Sequence, residues 1–127
     1  MRIAAVVATC LLGVIAVFQL ALALGMPARR MAWGGQYEGK LPVGLRIASA
    51  VAGLVIYPLA IFLVLEAGGV TDFAFVPDVG PVGMWVFAGL FAVGALLNLV
   101  SRSKAERIWA PVSMAIAICC GIVAAAL

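Results

Sequence analysis

Gln19, Ser49, Tyr57, Asn98 and Ser113 are the side chains of this 127-residue chain whose type and setting could do chemistry, because each breaks a long apolar run with a hydrogen-bonding group. Held away from water, such groups either bond to a neighbouring helix or line a solvated path. The commoner catalytic cycles are beyond them. The chain has no histidine, so imidazole ligation of metal or haem and histidine base catalysis are excluded. Its three cysteines, Cys10, Cys119 and Cys120, sit in apolar runs without the C-x-x-C spacing of a redox pair, and read as buried packing residues. No carboxylate falls in the middle of an apolar run, where proton-coupled carriers hold one; Glu66 lies at a run's edge. The sequence therefore predicts no catalytic residue, no cofactor site and no metal site, and it points away from an enzyme.

A second group of candidates lies in "ARRMAWGGQYEGKLP", Ala28 to Pro42. Connections of this length are uncommon inside compact bundles and tend to be functional or flexible. Trp33 and Tyr37 are expected at headgroup depth, with Gly34-Gly35 allowing a tight reversal between them. Trp33, Gly34, Gly35, Gln36, Tyr37 and Glu38 thus form a candidate partner or ligand loop. The plainer reading is a basic interfacial connector.

What must position these groups is set by hydropathy. The chain is 67% hydrophobic and 10% charged, with a mean hydropathy of +1.27, against roughly 25% charge in soluble domains. Apolar residues fall in four blocks, about 3–24, 43–65, 82–100 and 108–127, rather than along one face at helical spacing. Segments of roughly 19 to 23 residues span about 28 to 34 Å as helix, the width of a hydrocarbon core. The predicted fold is an all-α, four-transmembrane-helix bundle forming a single domain. The first block also reads as a secretory signal, with Arg2 ahead of it and "ALALG" behind; its length and the arginines that follow favour a retained helix.

Antiparallel, up-down threading puts both termini and the 66–81 loop on one side, and the 25–42 and 101–107 loops on the other. Seven of the eight basic residues (Arg29, Arg30, Lys40, Arg46, Arg102, Lys104 and Arg107) lie in or beside those last two loops, whereas the 66–81 loop carries Glu66, Asp72 and Asp78 and no base. The positive-inside bias then predicts an N-out, C-out protein of the cell inner membrane. Arg29, Arg30, Lys40, Arg102, Lys104 and Arg107 are expected to contact lipid headgroups. No basic stripe with stacking aromatics is present, so nucleic acid is not an expected partner.

Small residues at four-residue spacing offer close-packing seams: Ala5, Thr9, Gly13; Gly44, Ala48, Ala52; Ala88, Ala92; and Ser113, Ala117, Gly121, Ala125. These serve a folded monomer or a homo-oligomer. Pro58 in "IYPLA" predicts a kink, with a hinge as its functional reading. Ser103 and Glu106 form a capping-box pattern, while Pro111 offers a later helix start and leaves 104–109 as an interfacial turn.

With "MAWGGQYEGKLPVGLRIAS" and "NLVSRSKAERIWAP" in view, the chain resembles the uncharacterised small four-helix integral membrane proteins of bacteria. The resemblance implies the fold and a multi-pass membrane location, and no activity. The chain lacks the glutamate in the first helix that small multidrug resistance transporters use. Two functions are expected from the residues. One is association with itself, with lipid or with a membrane-protein partner. The other is a small oligomeric channel or transporter for an ion or small solute, lined by Gln19, Ser49, Tyr57 and Asn98.

Overall fold

The computed structural model describes residues 1–127 and contains helices and no strands. Four helices carry the apolar blocks: α1 (Arg2–Ala23), α2 (Val43–Ala67), α3 (Gly80–Leu99) and α4 (Trp109–Ala126). Each is long and apolar enough to cross a membrane.

Local chemistry fixes where they stop. α1 ends in a Schellman motif: Met26 N–H bonds Ala21 O, Gly25 N–H bonds Leu22 O, and Gly25 takes φ +102°, which only glycine adopts without strain. α2 ends the same way on Gly69 (φ +73°), with Val70 N–H on Leu65 O and Gly69 N–H on Glu66 O. The Glu66 carboxylate then accepts Thr71 Oγ1 at 2.9 Å and Phe73 N–H at 3.1 Å, which folds the following loop back on the helix end. α3 begins at Gly80, earlier than hydropathy predicts, because Asp78 Oδ1 accepts the Gly80 N–H and Pro81 occupies the first turn, where its missing donor costs nothing.

The helix ladder is irregular just ahead of Pro58, where the sequence predicts a kink. Residues Ala52–Ile56 make a π turn, in which Tyr57 N–H reaches back five residues to Ala52 O. Pro58 follows at once, so the residue that cannot donate sits where the ladder returns to four-residue spacing.

α1 lies between α2 and α4, α4 packs along α3, and α2 and α3 scarcely touch. The main core joins Ala5, Ala8 and Leu12 of α1 to Val64 of α2, Met84 of α3 and Ile116, Cys120 and Val123 of α4. The strict four-residue seams drift off this core. On α4 the buried set is Ala110, Ser113, Ile116, Ala117, Cys120, Val123 and Ala124, while Ala125 is exposed. Gly44 is exposed, and nothing approaches Gly13. The cause is geometric: a four-residue step advances about 40° beyond a full turn, so a contact face needs alternating steps of three and four. Cys10 also departs from expectation. It is exposed on the outer face, whereas Cys120 is buried.

Candidate functional site

The long first loop is folded, not slack. Ala28, Arg29 and Arg30 N–H groups bond the carbonyls of Gly39, Glu38 and Tyr37, pairing the two arms of the loop. Leu22, Ala28, Ala32 and Leu41 form a small core of their own, with Phe18, Tyr37 and Leu45 against it. The loop therefore covers the end of the bundle. Its tip turns through four residues in the left-handed region, Arg30 (φ +60°), Trp33 (+54°), Gly34 (+75°) and Gly35 (+74°), with Arg29 (+51°) just before. For the three non-glycines this costs roughly 1–2 kcal/mol each, offset by the contacts that the turn makes.

Those contacts clasp the loop between α3 and α4. Ser103 Oγ donates to Arg30 O, and Trp109 Nε1 donates to Met31 O at 2.8 Å. Gly35 lies so close to Ser103 that a Cβ there would collide with its side chain. The loop between α3 and α4 is ordered by its own residues: Ser103 Oγ accepts Glu106 N–H at 3.4 Å, and Arg107 Nε donates to Ser101 O. Only half of the predicted capping box forms. The Glu106 carboxylate accepts Ser101 Oγ at 2.7 Å, and Ser103 N–H is satisfied by that same Ser101 hydroxyl.

Beneath the clasp is a cavity of about 260 Å³, lined from α1 by Ile15, Phe18 and Gln19, from the first loop by Met31 to Trp33, and from α2 by Tyr57. Asn98 of α3, and Glu106, Trp109 and Ser113 at and after the start of the last helical segment, complete it. Three of the four intramembrane polar candidates, Gln19, Tyr57 and Asn98, thus meet at one place together with Trp33 of the loop. Ser49 stands behind them: fully buried, it accepts Trp33 Nε1 at 3.3 Å and so fixes the indole.

Of the two roles open to these polar groups, a bond to a neighbouring helix or the lining of a solvated path, their hydrogen bonds distinguish one. None of the side-chain hydrogen bonds in the molecule engages Gln19, Tyr57, Asn98 or Ser113. Gln19 Oε1 is buried without a partner. Groups left unpaired in this way are costly unless something in the cavity satisfies them.

The rest of the candidate loop has other work. Gly35 holds the contact with Ser103, Tyr37 packs on the small loop core, and Gly34, Gln36 and Glu38 are exposed. Arg30 and Glu38 approach only to 3.9 Å on the surface, where ion pairs contribute little. The six headgroup candidates Arg29, Arg30, Lys40, Arg102, Lys104 and Arg107 are all exposed, and none lines the cavity. Arg46 instead turns back to donate Nε to Ala23 O at the carbonyl end of α1, at 3.1 Å.

Glu106 and Trp109 are site residues that the sequence places elsewhere, Glu106 in a capping box and Trp109 at the end of an interfacial turn. Their role depends on the last helical segment opening with a 3₁₀ turn, Glu106–Ile108, that aims both under the first loop. No group of histidine, cysteine or carboxylate side chains is close enough to hold a metal ion. Comparison with family models, with curated proteins and with solved structures gives no match for the chain.

Proposed function

We propose that the chain is a multi-pass inner-membrane protein, N-out and C-out, that binds a small polar solute in the cavity beneath its two cytoplasmic loops. Convergence carries this reading: Gln19, Tyr57, Asn98 and Ser113 come from four helices, meet in one space and spend no hydrogen bond on each other. The up-down threading is supported by the meeting of the two basic loops at one end, while Gly68 lies against Ala5 and Gly69 near Met1. The basic loops are then the inward ones.

The site gives onto the apolar core, to which its lining residue Ile15 also belongs. Leu12, Met84, Ile116 and Cys120 fill the bundle beyond it with apolar packing, so one copy of the chain offers a vestibule and no through path. A transport cycle would need that packing to open, and the π turn beside Tyr57 is where α2 has the least regular ladder.

A second reading, association with another membrane helix or lipid chain, is favoured by a separate observation. Because α2 and α3 scarcely touch, an apolar groove of about 320 Å³ lies between them, walled by Leu59, Leu63, Phe87 and Leu90 among others.

Accessibility tests the first reading. With the three native cysteines replaced by alanine, Ser113→Cys in membrane vesicles should react with a small impermeant thiol reagent supplied from the loop side. An inert Ser113→Cys beside a fully reactive Gln36→Cys control would sink it.

A further inference from the structure

We propose that the cavity takes a small protonated amine, an alkylammonium group held between aromatic rings and the Glu106 carboxylate. The inference rests on the solute-binding reading above and adds the chemistry of the solute.

Three observations converge. Glu106 is the one charged residue in the lining, which contains no lysine or arginine, so an anionic solute would meet an unpaired negative charge. One carboxylate oxygen of Glu106, Oε2, is engaged by Ser101 Oγ; the group keeps further acceptor capacity, since a carboxylate has about four acceptor sites. The one buried lining atom without a partner, Gln19 Oε1, is likewise an acceptor, which an N–H donor on the guest would satisfy.

The walls agree. Trp33, Trp109, Phe18 and Tyr57 line the space, with the Phe18 and Trp109 ring centroids 4.8 Å apart. Both indole N–H groups are already used, on Ser49 and on Met31 O, so the tryptophans present ring surface and no donor to a guest. The face of an aromatic ring is negative and attracts an ammonium within about 6 Å. A carboxylate beside several rings, without a competing cation, is a site for a positive nitrogen.

The exposed arginines and lysines around the mouth do not reverse this. They lie outside the lining and are exposed, and solvent-exposed charges are screened over about 8 Å at physiological salt. The size suits a small guest, because about 260 Å³ lies below the roughly 300 Å³ at which drug-sized pockets begin. Free amines and the ethanolamine headgroup of a phospholipid share this chemistry.

The test uses the full chain in nanodiscs, with Trp85→Phe leaving Trp33 and Trp109 as the only fluorophores of their type. Ethanolammonium and its uncharged near-isostere ethylene glycol are titrated at constant ionic strength in phosphatidylglycerol discs. The expected result is a saturable emission change with ethanolammonium, at least about tenfold weaker with ethylene glycol, and weakened about tenfold by Glu106→Gln, as loss of one charge-assisted contact implies. The two-probe comparison needs no substitution at Glu106, so it stands if that variant misfolds. In discs containing phosphatidylethanolamine, the same emission change before any amine is added would assign the headgroup as the source. Equal response to the two probes overturns the amine assignment while leaving a polar-solute site. No response to either, with Ser113→Cys still reactive, also overturns it; no response with Ser113→Cys inert removes both readings.

Discussion

At the residue scale, the loop tip depends on two adjacent glycines for different reasons, and alanine substitution separates them. Gly34 and Gly35 both hold φ near +75°, but a Cβ at Gly34 meets nothing closer than 3.9 Å, whereas one at Gly35 strikes Ser103. Gly34→Ala should cost only the left-handed penalty of roughly 1–2 kcal/mol. Gly35→Ala should cost about 1 kcal/mol more, since it also pushes Ser103 off Arg30 O and forfeits that hydrogen bond. Thermal unfolding in one lipid or detergent system reads the difference, and equal losses would mean that the loop and Ser103 are not clasped. The same scale shows where reading the sequence stopped. That Gln19 and Asn98 face protein follows from the cost of an amide in lipid. That they share a cavity instead of bonding across helices depends on the azimuth of two helices far apart in the chain, which neither residue's neighbours encode. Glu106 was visible only as half of a local cap, and it took the Ser101 hydroxyl to occupy Ser103 N–H and release the carboxylate from that task.

At the scale of elements, block hydropathy locates the helices because a span must be continuously apolar, and that demand is local. Helix faces are less legible: α1 and α4 are apolar all round, so no hydrophobic stripe marks the packed side. Small residues are the remaining signal, and they mislead when counted at fours, as the exposed Ala125 shows. Pro58 was readable as a break in α2, but the π turn ahead of it also involves a partner. Gly53, inside the turn, lies against Leu20 of α1, and a Cβ there would come within 2.8 Å of Leu20 Cγ and 3.0 Å of Ala16 O. The close approach of α1 and α2 at this level therefore needs a glycine. Gly53→Val should destabilise the bundle by about 1–3 kcal/mol through overpacking, and by forcing α2 outward it should disturb Tyr57 and the cavity. Pro58→Ala restores a donor without touching that contact, and should shift the unfolding midpoint less. If Pro58→Ala proved the more damaging of the two, the turn would be set by proline chemistry and not by the α1–α2 contact.

At the scale of the whole molecule, the distribution of apolar surface decides the solvent. Only 26 of 127 residues are buried, while Val14, Val17, Leu54, Val55, Leu90, Val93 and Ile118 are all exposed on the helices. Contiguous apolar surface of this extent is a contact surface, and with every helix of spanning length the fitting contact is hydrocarbon. A bundle so surrounded has two chemically different ends. One gathers the basic loops over the cavity; the other carries Glu66, Asp72 and Asp78, with Phe62, Phe73 and Phe75 clustered beside them. Tyr37→Cys and Asp78→Cys, each in the background without native cysteines, should therefore label from opposite sides of sealed cells, Asp78→Cys from outside and Tyr37→Cys only after the membrane is opened. If Tyr37→Cys labels from outside and Asp78→Cys only after the membrane is opened, α1 has been removed as a signal and the remaining helices thread the other way. That outcome would also strip the core of Ala5, Ala8 and Leu12 and the cavity of Gln19, since α1 is the helix on which both α2 and α4 pack. Orientation and binding thus stand on the same helix, and a chain that lost it would keep neither the inward-facing loops nor the floor on which a solute could rest.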